Sequence, residues 1–186
     1  MQTHWTQFEA WLAEHWPEGL VGLNPPATDQ EIADLEQALG VVLPPDYVAC
    51  LKVHNGQRAD FYGGMFDGQE FLSTAGVLAQ WKVWKGLLGE FVGLTSEPGS
   101  GIKDDWYNPA WIPFTHNGGG DHLCLDLDPA EGGTRGQIIT MWHDAGERDL
   151  CAPSFAAWFS AYVDAVLQGR YVYSDDYGGL VDAADA

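Results

Sequence analysis

Residues 111–129 read WIPFTHNGGGDHLCLDLDP, and the way this stretch folds decides the architecture. From Asp121 onward polar and apolar residues alternate. In an extended chain Leu123, Leu125 and Leu127 therefore share one face, while His122, Cys124, Asp126 and Asp128 share the other. The leucine face predicts a core strand. The polar face, with an imidazole, a thiol and two carboxylates in a row, has the composition of a metal or acid–base site. Geometry favours the strand. Same-face neighbours stand about 7 Å apart, so at most two of the four could share one ion, and further ligands would have to come from His116 or His143. Cys124 lies inside the strand and not at a helix N-terminus that would stabilise a thiolate, so it is expected to be buried rather than nucleophilic. His143-Asp144, near His116 and Asp121, could form an acid–base pair, but the turns of a meander gather polar residues without any chemistry. No catalytic, cofactor-binding or metal-binding residue is assigned.

Around this stretch, Trp111–Phe114, His122–Leu127 and Gly136–Trp142 read as three consecutive antiparallel strands joined by Gly-rich turns. Gly118-Gly119-Gly120 and Gly132-Gly133 lead into no helix and precede no Lys-Ser/Thr, so they are turn glycines and not a phosphate cradle. Ser154 predicts the cap of a last helix, with Phe155, Trp158, Phe159, Tyr162, Val163, Val166 and Leu167 inward. Near the start, Trp5, Phe8, Leu12 and Trp16 recur at helical spacing over residues 2–16. Thr28 and Glu31 form a T-x-x-E capping box ahead of Ile32, Leu35 and Leu39, with Gly40 as the stop. Pro44-Pro45-Asp46 opens a further helix carrying Tyr47, Val48 and Leu51. Asp60–Phe66 reads as a short strand, and Ser73 caps a helix with Val77, Leu78, Trp81, Trp84 and Leu88. Residues 91–109 read as a long surface connection, and the Tyr/Asp-rich tail, 170–186, as partly disordered. The sum is an α+β fold with a central, mainly antiparallel sheet covered by helices.

A chain of 186 residues fits one domain, 1–186, and 46% hydrophobic content with nine Trp, eight Phe and seven Tyr supplies a full core. Eight Lys and Arg against 27 Asp and Glu give a net charge of −19, which disfavours nucleic acid and anionic membranes and favours a basic protein partner. Three scattered cysteines with no CxxC pair predict reduced thiols. With no signal-like or membrane-spanning stretch, a cytoplasmic protein is expected.

The order of motifs carries more than any one of them: LNPPATDQEIADLEQALGVVLPPDYVACLKVHNGQ (23–57), FLS (71–73), WIPF (111–114), DHLCLDLDP (121–129), GGTRGQII (132–139) and SFAAWF (154–159). Together they resemble the SUKH superfamily, the Smi/Knr-like domain, over a core of about 23–168, with the helix at 2–16 and the acidic tail outside the match. The resemblance implies an α+β fold with a mainly antiparallel sheet and a non-enzymatic binding role. Bacterial members look like immunity proteins that neutralise a cognate toxin, frequently a nuclease, and fungal relatives are linked to cell-wall synthesis control and signalling. The family has no shared catalytic set to carry over. An immunity protein for a basic toxin is the first expectation, and a regulatory interaction module related to the cell-wall proteins is the alternative.

Partner contacts are expected where aromatic residues sit among carboxylates. Three places qualify: Asp104, Asp105, Trp106 and Tyr107 in the long connection; Asp144, Glu147 and Asp149 in the turn HDAGERD; and Tyr173, Asp175 and Asp176 in the tail.

Overall fold

Trp5, Phe8 and Leu12 carry α1 (Gln2–His15) into the interior, and Pro17 starts the short α2 (Pro17–Val21) at its end. These residues stand three and four apart, so one stripe of α1 faces inward; the Trp5 ring lies 4.8 Å from Phe159. Helix α3 (Asp29–Leu39) has the anticipated capping box, the Thr28 hydroxyl accepting from Glu31 N while Glu31 accepts from Thr28 N. Gly40 ends it at φ 72°, a left-handed conformation that a β-carbon would strain. Helix α4 (Pro45–Leu51) buries Tyr47, Cys50 and Leu51. The computed structural model describes residues 1–186 throughout.

Asp60–Phe66 is not a strand. A β-carbon on Gly63 would stand 2.6 Å from the Gly178 carbonyl oxygen, and one on Gly64 would overlap the backbone of Gly68. The glycine pair thus serves close backbone packing, and pairing falls to β1 (Glu70–Phe71). Ser73 caps α5 (Thr74–Gly86), which buries Val77, Trp81 and Trp84 and is followed by a 3₁₀ turn at Leu88–Phe91. The connection at 91–109 departs from a plain surface loop: it contains β2 (Glu97–Pro98) and buries Ile102 and Tyr107.

Next come β3 (Trp111–Pro113), β4 (Thr115–His116), β5 (His122–Asp126), β6 (Gln137–Met141), β7 (Glu147–Arg148) and β8 (Leu150–Ala152). The meander forms as expected, gains β8, and makes an antiparallel four-stranded sheet in the order β3-β5-β6-β8. β1 pairs with β4, and β2 pairs in parallel with β7. Helix α6 (Phe155–Leu167) is capped by Ser154 and buries Phe155, Phe159, Tyr162, Val163 and Val166; Leu167, expected inward, is exposed because it falls off that stripe. The tail is ordered, as an antiparallel hairpin of β9 (Tyr171–Ser174) and β10 (Gly179–Asp182) whose Leu180 is fully buried.

The sheet separates two apolar clusters. Ile112, Leu125, Ile138 and Ala152 lie in one cross-strand row and face a cluster of 31 buried residues that extends from Trp5 to Leu180. The adjacent Cys124 and Ile139 belong to a cluster of seven on the other side, completed by Trp84, Ile102, Tyr107, Trp111 and Met141. Both sheet faces are therefore dry. Each fully buried Leu, Ile or Phe contributes roughly 1.5–3 kcal/mol over its exposed state.

Candidate functional site

The polar face of β5 is sealed. His122, Cys124 and Asp126 point into the smaller cluster and have no exposed surface. The His122 Nδ1–H donates to the Thr115 carbonyl at 2.6 Å, and Nε2 accepts from Trp84 Nε1 at 3.0 Å. With one nitrogen facing an acceptor and the other a donor, the ring is held as a neutral tautomer, and burial lowers its pKa to about 4. Burial drives the Cys124 thiol far above its ordinary range, so it carries no thiolate near neutral pH. Burial also raises Asp126, opposed by hydrogen bonds from Asp128 N and Gln137 Nε2. Asp128 lies beyond the strand, paired with Lys103 at 2.6 Å. The four do not converge on one point.

His116 stacks on His122 at 5.0 Å between ring centroids, and its Nδ1 is buried without a partner. The His143–Asp121 pairing does form: Nδ1 lies 2.8 Å from Asp121 Oδ1, with Asp144 at 3.9 Å. The hydrogen bond raises His143, while on Asp121 the bonds from His143 outweigh the effect of burial and hold it low. Asp121, His143 and Asp144 present ligand atoms within 4.8 Å of one another, the set that could hold a cation.

Two of the three anticipated contact regions come together, and Arg148 joins them. Its side chain is fully buried, yet it faces no carboxylate. Nη1 donates to the Ala145 and Glu147 carbonyls and Nη2 to the Trp106 carbonyl, all at 2.7–2.8 Å. Its guanidinium also lies 5.4 Å from the Trp106 ring. With the β2–β7 pairing, this clasp fixes the 104–107 loop beside the 144–149 turn. Asp104, Asp144, Glu147 and Asp149 are exposed, and Asp105 and Trp106 half-buried. Asp104 also accepts from Ser96 N at 2.7 Å. Tyr107 cannot serve as a contact: it is buried among Trp84 and Phe91, with ring centroids 5.4 and 6.5 Å away.

The tail hairpin forms a separate region. Tyr173 stacks on Trp16 at 5.2 Å, and Trp16 also packs on Phe61 at 5.7 Å. Asp175 and Asp176 sit exposed at the hairpin turn. Beside it, a groove of about 340 Å³ is lined by Tyr62, Glu70, His116, Asn117 and Tyr177 over a glycine floor. Glu70, Tyr62, Tyr177 and Arg148 were not anticipated as site residues. The only signals for the tyrosines were the adjoining glycine pairs, in FYGG and YGG.

Helices packed on a mainly antiparallel sheet, with its polar strand residues sealed inside, define an α+β domain. The chain belongs to the SMI1 / KNR4 family (SUKH-1), whose profile matches residues 26–161. It is 24% identical over 213 residues to a glucan synthesis regulatory protein of Neurospora crassa, an alignment covering 95% of this chain and 40% of that protein. It is 22% identical over 209 residues to the cell wall assembly regulator SMI1 of Saccharomyces cerevisiae, covering 92% of this chain and 41% of the yeast protein. A 53-residue stretch is 49% identical to the uncharacterized protein YnaB of Bacillus subtilis, covering 28% of this chain and 33% of that one. The chain thus spans about two fifths of the length of the first two relatives. No helix is long and apolar enough to cross a membrane.

Proposed function

We propose that this chain is a non-catalytic, regulatory protein-binding module that takes a basic partner on the acidic edge around Trp106. The observation that carries this is the Arg148 clasp: it ties the acidic 104–107 and 144–149 segments together beside the β2–β7 pair, with the half-buried Trp106 indole against its guanidinium. Pre-ordered carboxylates do not have to be ordered on binding, and a net charge of −19 speeds the approach of a cation. A regulatory role is supported by the relatives, two of which are named a glucan synthesis regulatory protein and a cell wall assembly regulator. That support favours the regulatory alternative over the immunity role anticipated first. The sealed state of His122, Cys124 and Asp126 supports a module without catalysis at that strand. Three free cysteines fit a reducing, cytoplasmic setting.

The test is affinity capture from the source cells with the wild-type chain and with a Glu147→Lys, Asp149→Lys double variant. A basic protein retained by the wild type at low salt, released at high salt and absent from the variant is the expected result. Equal recovery by both forms would remove the acidic edge as the binding surface.

A further inference from the structure

The geometry points to the groove beside the tail hairpin as a receptor for a single arginine side chain from a basic peptide segment. Glu70 supplies the anionic end. Its carboxylate is half-buried at the sheet edge, where no side chain or backbone group of the protein donates to it, so burial acts on it unopposed. Directly across the β1–β4 pair stands His116, whose pKa burial lowers, so the imidazole offers no competing positive charge near neutral pH. No Lys or Arg lines the groove. The nearest arginine in the adjoining hollow, Arg58, is already committed to both oxygens of Asp60, at 3.0 and 2.7 Å.

The walls supply flat π-surfaces. Tyr62 is 91% exposed and Tyr177 63% exposed, and no aromatic partner covers either ring. Such rings beside an unpaired carboxylate suit a planar guanidinium, which stacks on an aromatic face while its N–H fork meets the carboxylate, better than a compact ammonium. At about 340 Å³ the groove lies at the low end for small-molecule sites, the size for a side chain and not for a nucleotide. It also continues into the acidic edge: Asn117 lines the groove and donates to Asp121, which holds His143 beside Asp144. A basic segment lying along that edge can place one arginine here. This goes beyond the proposed role of the edge, which can hold without it.

The probe is a capped peptide carrying arginines separated by serines, compared with the same peptide in which citrulline, uncharged and of the same shape, replaces arginine. Calorimetry on the full chain should give at least a tenfold weaker association for the citrulline peptide, and a loss of about tenfold for Glu70→Gln and for the Tyr62→Ala, Tyr177→Ala double variant. Amide shifts in the wild-type spectrum should centre on Tyr62, Glu70 and Tyr177, a readout independent of how well the variants fold. Equal binding of the two peptides, no binding of either, or shifts absent from the groove would each overturn the assignment. If Glu70→Gln binds like the wild type while Glu147→Gln binds weakly, the arginines dock on the acidic edge alone; the groove assignment then falls and the proposed function stands.

Discussion

Trp84 Nε1 donates to His122 Nε2 at 3.0 Å across the smaller apolar cluster, and this contact, with the Thr115 carbonyl on the other nitrogen, makes His122 a structural group that must stay neutral. Its pKa falls from 6.5 to about 4. Between those values the unfolded chain binds a proton that the folded chain refuses. Stability from this group is therefore complete above pH 6.5 and is lost as the pH falls, by about 3 kcal/mol in all. Urea midpoints measured from neutral to mildly acidic pH should decline in the wild type and much less in His122→Gln. Parallel profiles would show that another group sets the acid limit.

Arg148→Met should destabilise by about 3 kcal/mol, because three part-buried hydrogen bonds from one charged donor to backbone carbonyls are lost at once. Arg148→Lys should recover only part of this, since an ammonium lacks the planar fork. Limited proteolysis provides the second readout: both variants should be cut within 99–107, where the wild type resists.

Leu180→Ala should lower stability by about 2–5 kcal/mol, the range for a fully buried leucine. Thermal unfolding measures it. A shift near zero would mean that the tail hairpin contributes nothing to the fold.

Thr28→Ala removes the hydroxyl from the capping box of α3 and should cost about 1 kcal/mol. Glu31→Gln should cost less, because the amide oxygen can still accept from Thr28 N. Denaturant midpoints at constant slope would separate the two.

Helices α3, α5 and α6 were legible because Thr28, Ser73 and Ser154 announce them locally, and the meander because its three strands follow one another. What was not legible depends on distant partners. The alternation in 121–128 separates two strand faces, but it does not reveal that Trp84 and Tyr107 roof the polar one. Asp60–Phe66 reads as a strand, but its glycine pair admits the Gly68 backbone and the Gly178 carbonyl, contacts that no local pattern shows. Polar composition made 91–109 look like surface, yet Ile102 and Tyr107 fill the smaller cluster. The tail reads as partly disordered because its charge hides Leu180 and Val181. At the acidic edge the exposed carboxylates could be named from sequence. Arg148 could not, because a buried arginine held by carbonyls has no local pattern.

The division of the interior by the sheet also sets how the molecule comes apart. With seven buried residues on one side and 31 on the other, the two sides are expected to open as units of unequal strength. The lesser unit, closed by the Arg148 clasp and the Trp84–His122 contact, needs less free energy to open. Backbone amides of residues 96–107 will exchange with solvent deuterium through partial openings, while those of β5 and β6 wait for global unfolding. The acidic edge then detaches as one piece from a sheet that stays folded, so its loss and the loss of the fold are separate events on separate timescales.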